Sequence, residues 1–343
     1  MKSNETDQEK LDNKKSTHSQ AWPEWYKQLK KYQHPDRLKG IWQIVNTLIP
    51  YLFLWYLMVR SIQLGYPYFV TLLLAFPAAA FLIRIFILFH DCVHGSFFES
   101  KRANAFFGYL FGILVFTSFE DWKFCHLRHH VSYGNLDERG FGDIRTITLD
   151  EYSNLSKSKQ LNYRLYRNPL IMILIGGLYL FLIQNRFPSR GVTKKEKRGT
   201  LFTNLLIAAA AVSVSLFIGW KTYLLVQIPV LWLAGAAGIW LFYVQHQFPG
   251  GYWARKKDWS RLRAAMEGSS FYKLPALLRW FSGSIGYHHV HHLSPRIPNY
   301  LLKKCYDAVP ELKEKEPVAF MESLSFIKLK LWDENLKKMI VFP

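Results

Sequence analysis

Apolar residues along this chain gather into long blocks with Lys and Arg at their edges, and block length predicts what each one forms. A helix of ~20 residues at ~1.5 Å rise spans the ~30 Å hydrocarbon core of a bilayer. Two early blocks meet that length and are predicted to cross over about 41–60 and 68–89 as a hairpin. A later stretch is about twice as long as one crossing needs and is broken only by Lys221, which predicts a second hairpin over about 201–220 and 222–245. Pro50 and Pro77 fall inside the first pair, and Arg84 is placed to snorkel to the interface.

Two further runs, 103–119 and 169–186, are shorter and predict interfacial or re-entrant helices. The apolar heart of the second, 169–183, would reach only about 22 Å as a helix. Both its flanks are basic, with Arg164 and Arg167 before it and Arg186, Arg190, Lys194, Lys195, Lys197 and Arg198 after it. The bias of Lys and Arg toward the cytoplasm then puts both ends on one side. The chain is thus expected to be an all-α integral membrane protein of about four transmembrane helices. A cytoplasmic helical cap is drawn from 90–168 and 246–335, within a membrane domain spanning 36–335. Residues 1–35 and 336–343 are expected to be polar tails; the first has no apolar core and does not resemble a cleaved signal peptide.

Composition agrees with a membrane location: half of the 343 residues are hydrophobic and 17% are aromatic. The net charge of +19 would suit nucleic acid, but the cations sit at the edges of apolar blocks, where anionic headgroups meet them. No nucleic-acid partner is expected. Cys92, Cys125 and Cys305 form no CxxC pair, so neither a disulfide framework nor a zinc ribbon is indicated.

Ten of the twelve histidines change the picture. His90 and His94 lie in HDCVH, with i, i+4 spacing that puts both rings on one helix face. His126, His129 and His130 lie in HLRHH, and His288, His291 and His292 repeat that spacing in HHVHH; His246 follows the last crossing. By the predicted topology all of these reach one membrane face. His18 and His34 stand apart and read as exposed residues without a role.

A zinc site takes three or four ligands, so nine or ten imidazoles exceed one ion. Imidazole suits iron, copper, zinc and nickel, and two metals with four or five nitrogens each would use the whole set. A pair of irons could activate dioxygen against the unactivated methylenes of a lipid. HDCVH also invites comparison with HExxH zinc proteases, but Asp91 is one methylene shorter than their Glu and the other histidines would be unused. A membrane metal transporter with histidine-rich loops is the non-enzyme alternative, opposed by the fixed spacing of the boxes and the lack of polar residues inside the crossings.

The order HxxxH, HxxHH, single His, HxxHH, interleaved with two hairpins, resembles the integral-membrane fatty acid desaturases. The segments RIFILFHDCVHGSFF, NLDERGFGDI, YRLYRNPLIM, WLFYVQHQF and EGSSFYKLPALLRWFSGSIGYHHVHHLSPRIPNY are similar to bacterial acyl-lipid desaturases, nearest to the delta-5 phospholipid enzymes of Gram-positive bacteria. The similarity covers roughly 35–335.

That resemblance implies a cell-membrane enzyme that inserts a cis double bond into acyl chains of membrane phospholipids. It implies two iron ions, Fe2+ or Fe3+, with dioxygen as co-substrate. The positions matching the family's ligand pattern are His90, His94, His126, His129, His130, His246, His288, His291 and His292. His289 is surplus, turned ~100° from His288 on a helix, and is expected in a supporting or surface role. Where some relatives carry an Asn that reaches a metal through water, this chain has Phe242.

Carboxylates or amides should orient the imidazoles through their other N–H; Asp91, Asn135, Asp137, Asp143 and Glu267 are the candidates. Trp122, Trp240, Tyr243 and Tyr287 are candidates for lining the acyl channel. FPGG at 248–251 lacks the histidine of a cytochrome b5 haem motif, so electrons are expected from a separate acidic donor, ferredoxin or flavodoxin. Arg255, Lys256, Lys257, Arg261 and Arg263 are its candidate contacts. A membrane di-iron hydroxylase or ketolase of alkane, sterol or carotenoid substrates would share the same centre.

Overall fold

The computed structural model describes residues 22–343. Four helices are long and apolar enough to cross a membrane: α1 (Arg37–Gln63), α2 (Tyr68–His94), α5 (Lys194–Ile218) and α6 (Trp220–His246). Each pair is a hairpin, the second turning at Gly219. At 25 to 27 residues these helices are about 40 Å long, one or two turns more than the hydrocarbon core requires. That surplus carries His90 and His94 at the end of α2 and His246 at the end of α6.

Large apolar side chains face outward along the spans, among them Trp42, Ile49 and Phe53 on α1 and Leu216 and Phe217 on α5. They form the lipid-facing belt of a bundle whose interior is built on α2, with buried Ala75, Ala78, Leu82, Ile85 and Phe89 packed against Val226, Val230 and Leu231 of α6.

Local signals fix the ends that matter. Asp36 caps α1, its carboxylate accepting from the N–H groups of Leu38 and Lys39 at 3.0 and 3.1 Å. Gly95, with φ of 67°, terminates α2 one residue after His94. The two short apolar runs are bent: α3 (Lys101–Leu114) meets α4 (Phe119–Ser132) at 102°, and the helix Lys157–Tyr166 meets the segment Ile171–Arg186 at 62°. Neither makes a straight crossing. The second packs tightly on α6, where a Cβ on Gly177 would lie 2.6 Å from the backbone of Gly235.

The cap is largely short helices, including α7 (Ala276–Phe281), α8 (His288–Leu293) and α9 (Asn299–Ala308). Two small sheets add a parallel pair, β1 (Phe271–Lys273) with β2 (Pro317–Ala319), and an antiparallel pair, β3 (Leu331–Asp333) with β4 (Lys338–Ile340).

Both expected tails are shorter than the sequence suggests. Residues 24–32 form a helical turn whose Leu29 is buried, and Tyr26 and Gln33 donate to Leu293 O at 3.1 Å and Ser294 Oγ at 2.8 Å. Aromatic Trp22 and Tyr26, stacked at 4.2 Å, give this polar stretch something to bury. Residues 1–21, with His18, lie outside the described residues. At the other end β4 falls within 336–343, and Arg164 donates to Pro343 O at 3.1 Å.

Arg84 also departs from expectation. It does not snorkel outward but lies 3% exposed inside the bundle, donating through Nε to Thr47 Oγ1 at 3.0 Å and through Nη1 to the Trp280 carbonyl.

Candidate metal centre

Where α2, α4, α6 and α8 converge, nine histidines form two groups. One holds His90, His94, His126, His130 and His291; the other holds His129, His246, His288 and His292. Within each, one ring nitrogen per residue lies within 4.8 Å of all the others. His94 is half-buried and the rest are buried.

The HxxHH spacing is used twice in the same way. The i, i+4 pair of α4, His126 and His130, enters the five-nitrogen group while His129 enters the other; the i, i+4 pair of α8, His288 and His292, enters the four-nitrogen group while His291 crosses to the first. The third residue of each box, displaced around the helix from the pair, bridges the two groups.

The nitrogens are arranged for cations. His130 Nε2 lies 3.1 Å from His126 Nε2 and 3.0 Å from His291 Nε2; His246 Nε2 lies 3.1 Å from His129 Nε2 and 3.0 Å from His288 Nε2. Two ligands at right angles on one ion about 2.1 Å away would have that separation. Burial, followed by the neighbouring imidazoles, pushes His126, His130, His288, His291 and His292 well below the usual histidine range. The rings are therefore neutral, the form that binds metal. Where three neutral nitrogens converge, as on His130 Nε2 and on His246 Nε2, one N–H···N bond serves only two of them, and His94 Nε2 and His292 Nε2 are buried without any hydrogen-bond partner. An all-imidazole donor set suits iron, zinc, copper or nickel.

Outward contacts fix several rings. His90 Nδ1 lies 3.3 Å from Asp91 Oδ1, His129 Nδ1 is hydrogen-bonded to Asp143 Oδ1, and His246 Nδ1 is 3.4 Å from Gly268 O. Asp91 is itself held by Asn299, whose backbone N–H and Nδ2 donate to Oδ2 at 2.8 and 2.9 Å. Asn299 forms a reciprocal amide pair with Gln43 of α1, at 2.9 and 3.0 Å. Gly268, Asn299 and Gln43 were not among the sequence candidates. A backbone carbonyl has no sequence signature, and Gln43 and Asn299 meet across 256 residues; only the polar Gln inside an apolar span was a visible signal.

The other supporting candidates lie elsewhere. Asp137 accepts from Arg255 Nη1 at 2.9 Å and Lys256 N at 2.8 Å, Glu267 pairs with Arg263 at 2.8 Å, and Asn135 accepts from Asp137 N at 3.0 Å. These polar groups serve turns and surface ion pairs of the cap. His289 is not a surface residue: it is fully buried, its Nε2 lies 3.1 Å from Leu312 O, and it belongs to neither group.

Of the channel candidates, Trp122 stacks on His126 at 4.1 Å and also meets His90 at 5.9 Å. Trp240 stacks on Tyr243, whose hydroxyl donates to Phe326 O and Leu329 O at 2.9 and 2.7 Å, tying down the C-terminal segment. Tyr287 packs between Phe271 and Tyr306, away from both groups. Phe242 stands 5.3 Å from His246 and 5.7 Å from His129, and Tyr133 covers His246 at 4.0 Å.

The expected donor patch is partly neutralised. Arg255 forks onto Glu334 at 2.8 and 2.7 Å, and Lys256 pairs with Glu138 at 3.3 Å.

Comparison with known proteins agrees with this geometry. The fatty acid desaturase family model matches residues 64–323. A fatty acid desaturase of Bacillus subtilis (strain 168) is 46% identical over 316 residues, 92% of this chain and 89% of that protein. The sn-1 acyl-lipid omega-3 desaturase (ferredoxin) of Nostoc sp. (strain 36) is 26% identical over 253 residues, 68% of this chain and 67% of that protein. A temperature-sensitive sn-2 acyl-lipid omega-3 desaturase (ferredoxin) of Arabidopsis thaliana chloroplasts is 29% identical over 249 residues, 65% of this chain and 53% of that protein. With four membrane-length helices, two closed histidine groups and a family match over most of its length, the chain belongs to the fatty acid desaturase family and is an oxidoreductase.

Proposed function

We propose that this chain is an acyl-lipid desaturase that introduces a cis double bond into acyl chains of membrane phospholipids, with one iron held in each histidine group. The observation that carries this reading is the pairing of two nitrogen-only sites at the ends of lipid-facing helices. Iron bound there would activate dioxygen as the oxidant: dioxygen, two electrons, two protons and two hydrogens from adjacent methylenes would give two waters and a C=C bond.

The chain's own residues orient the imidazoles and keep the site dry. Asp91 and Asp143 accept from Nδ1 of His90 and His129, which fixes the tautomer with Nε2 free to bind metal. The flat face of Trp122 covers His126, and Tyr133 and Phe242 cover His246, leaving apolar surface around both groups.

The relatives named as acyl-lipid desaturases support a lipid-bound acyl substrate, and those named with ferredoxin support a ferredoxin-type donor, flavodoxin being the close alternative. We place the site on the cytoplasmic side of the cell membrane, following the basic flanks of 169–186. The resemblance to delta-5 enzymes gives the double-bond position we propose.

Gas chromatography with mass spectrometry of derivatised fatty acids from an expressing host tests the reading. A new delta-5 cis double bond is expected. A hydroxylated or ketone product without a new double bond would replace the reading by the hydroxylase one, and metal-dependent transport without a tightly held iron pair would replace it by the transporter one.

A further inference from the structure

The chain between β1 and α8 leaves the cap, descends beside α2 and returns to the histidines. Its neck is closed at the top by Tyr272 N–H donating to Gly286 O at 2.7 Å. At the bottom, Trp280 and Phe281 meet Phe81 of α2 edge to face at 5.9 and 5.1 Å. Phe81 is nine residues before His90 on the same helix, about 13 Å further into the membrane. On the way back Gly283, with φ of 53°, passes so close to α2 that a Cβ would lie 2.5 Å from Ile87 Cγ2.

Arg84 pins the bottom of this excursion. Its guanidinium lies 3.9 Å over the Trp280 ring and donates to the Trp280 carbonyl, while its Nε bonds Thr47 of α1. A cation in a spanning helix is costly unless so satisfied. On α1 the residues flanking Thr47 that point outward are Val45 and Ile49, both exposed and apolar. The level of Trp280 is therefore a lipid-facing level.

At that level α7 turns apolar side chains away from the protein: Leu277 is 67% exposed, Leu278 43% and Trp280 38%. Above them two cations, Arg279 and Lys273, border a shallow crevice with Gly286 and Tyr287. Neither side chain has an ion-pair partner among the described residues. Apolar side chains facing lipid with unpaired cations just above them match the layering of a leaflet, acyl chains beneath phosphates.

We propose that residues 273–285 form a lipid-seated hairpin, with Leu277, Leu278 and Trp280 among the acyl chains and Arg279 and Lys273 on the phosphate of an anionic membrane lipid. The hairpin leads directly into α8, so a bound lipid steadies the segment that delivers His288, His291 and His292 to both groups. This assignment is independent of which reaction the centre performs.

The test uses the full, metal-loaded chain in nanodiscs of phosphatidylcholine, with and without phosphatidylglycerol. Spin labels at Leu277→Cys or Leu278→Cys, in a Cys125→Ser background, report collision with dissolved oxygen against a water-soluble nickel chelate. Both labels are expected to favour oxygen, unlike a label at Leu336→Cys on the cap. Labels at 277 and 278 that behave like the one at 336 overturn the proposal. Lys273→Gln and Arg279→Gln are expected to lower phosphatidylglycerol retention, read by native mass spectrometry, about five-fold each, whereas Lys256→Gln leaves it unchanged. Unchanged retention in the Lys273→Gln, Arg279→Gln double variant overturns the headgroup assignment.

Discussion

The two histidine groups are built from the same boxes but are not equivalent. The first has five nitrogens, and its support runs from Asp91 through Asn299 to Gln43, linking α2, α9 and α1. The second has four nitrogens, is supported by Asp143 and the Gly268 carbonyl, and is covered by the aromatic rings of Tyr133 and Phe242. One group is rich in donors and wired to the membrane bundle; the other is short of a donor and held by the cap's loops. The second should therefore be the more easily emptied.

Removing a ligand from each group is the strongest way to break that asymmetry. Both His292→Ala and His94→Ala are expected to reduce desaturated product to background, but His292→Ala leaves three nitrogens and should lose its iron, while His94→Ala leaves four and should retain both ions more weakly. Iron per chain on purified protein checks this, and equal loss in both variants would refute the asymmetry.

Outer carboxylates come next, with an expected cost of about 10–100-fold in metal affinity or activity. Asp143→Asn should fall at the upper end, since its group has no fifth donor, and Asp91→Asn at the lower. Titrating the metal-free chain with ferrous iron under anaerobic conditions measures the difference.

Smaller still is the effect of the buried relay. Asn299→Ala leaves the Gln43 amide without its partner and removes one of the two donors to Asp91 Oδ2, the backbone N–H remaining. At about 1–3 kcal/mol per orphaned group it should lower the unfolding temperature in detergent, and Gln43→Leu, which orphans only the Asn299 side-chain oxygen, should lower it less.

Mildest at neutral pH, and felt only in acid, is the change at His289. Burial pushes His289 down to about 3, whereas in the unfolded chain it returns to about 6.5. Between those values the unfolded state binds the extra proton, so this residue's contribution is complete above about pH 6.5 and is lost as pH falls toward 3. His289→Gln should flatten the acid side of the unfolding-temperature profile without changing iron content; lost iron would assign His289 to the centre after all.

The spans were legible because crossing a bilayer imposes a length and an apolar composition that packing cannot disguise. The histidine boxes were legible because i, i+3 and i+4 positions on a helix are neighbours whatever surrounds them. Supporting residues were not: Asp91 and Asp143 look no different in sequence from Asp137 and Glu267, and only the last two were claimed by Arg255 and Arg263. Arg84 is buried for a related reason: the reach of a long side chain predicts snorkelling unless a partner such as the Trp280 carbonyl lies within the bundle.

By itself the sequence determined the hairpins, the helical faces of the boxes and hence the number of imidazoles brought to one end of the bundle. The tertiary structure alone decided how those imidazoles divide. His129 and His291 each leave their own box's pair for the opposite group, because the directions in which α4 and α8 approach each other, and not any local spacing, set which nitrogens converge.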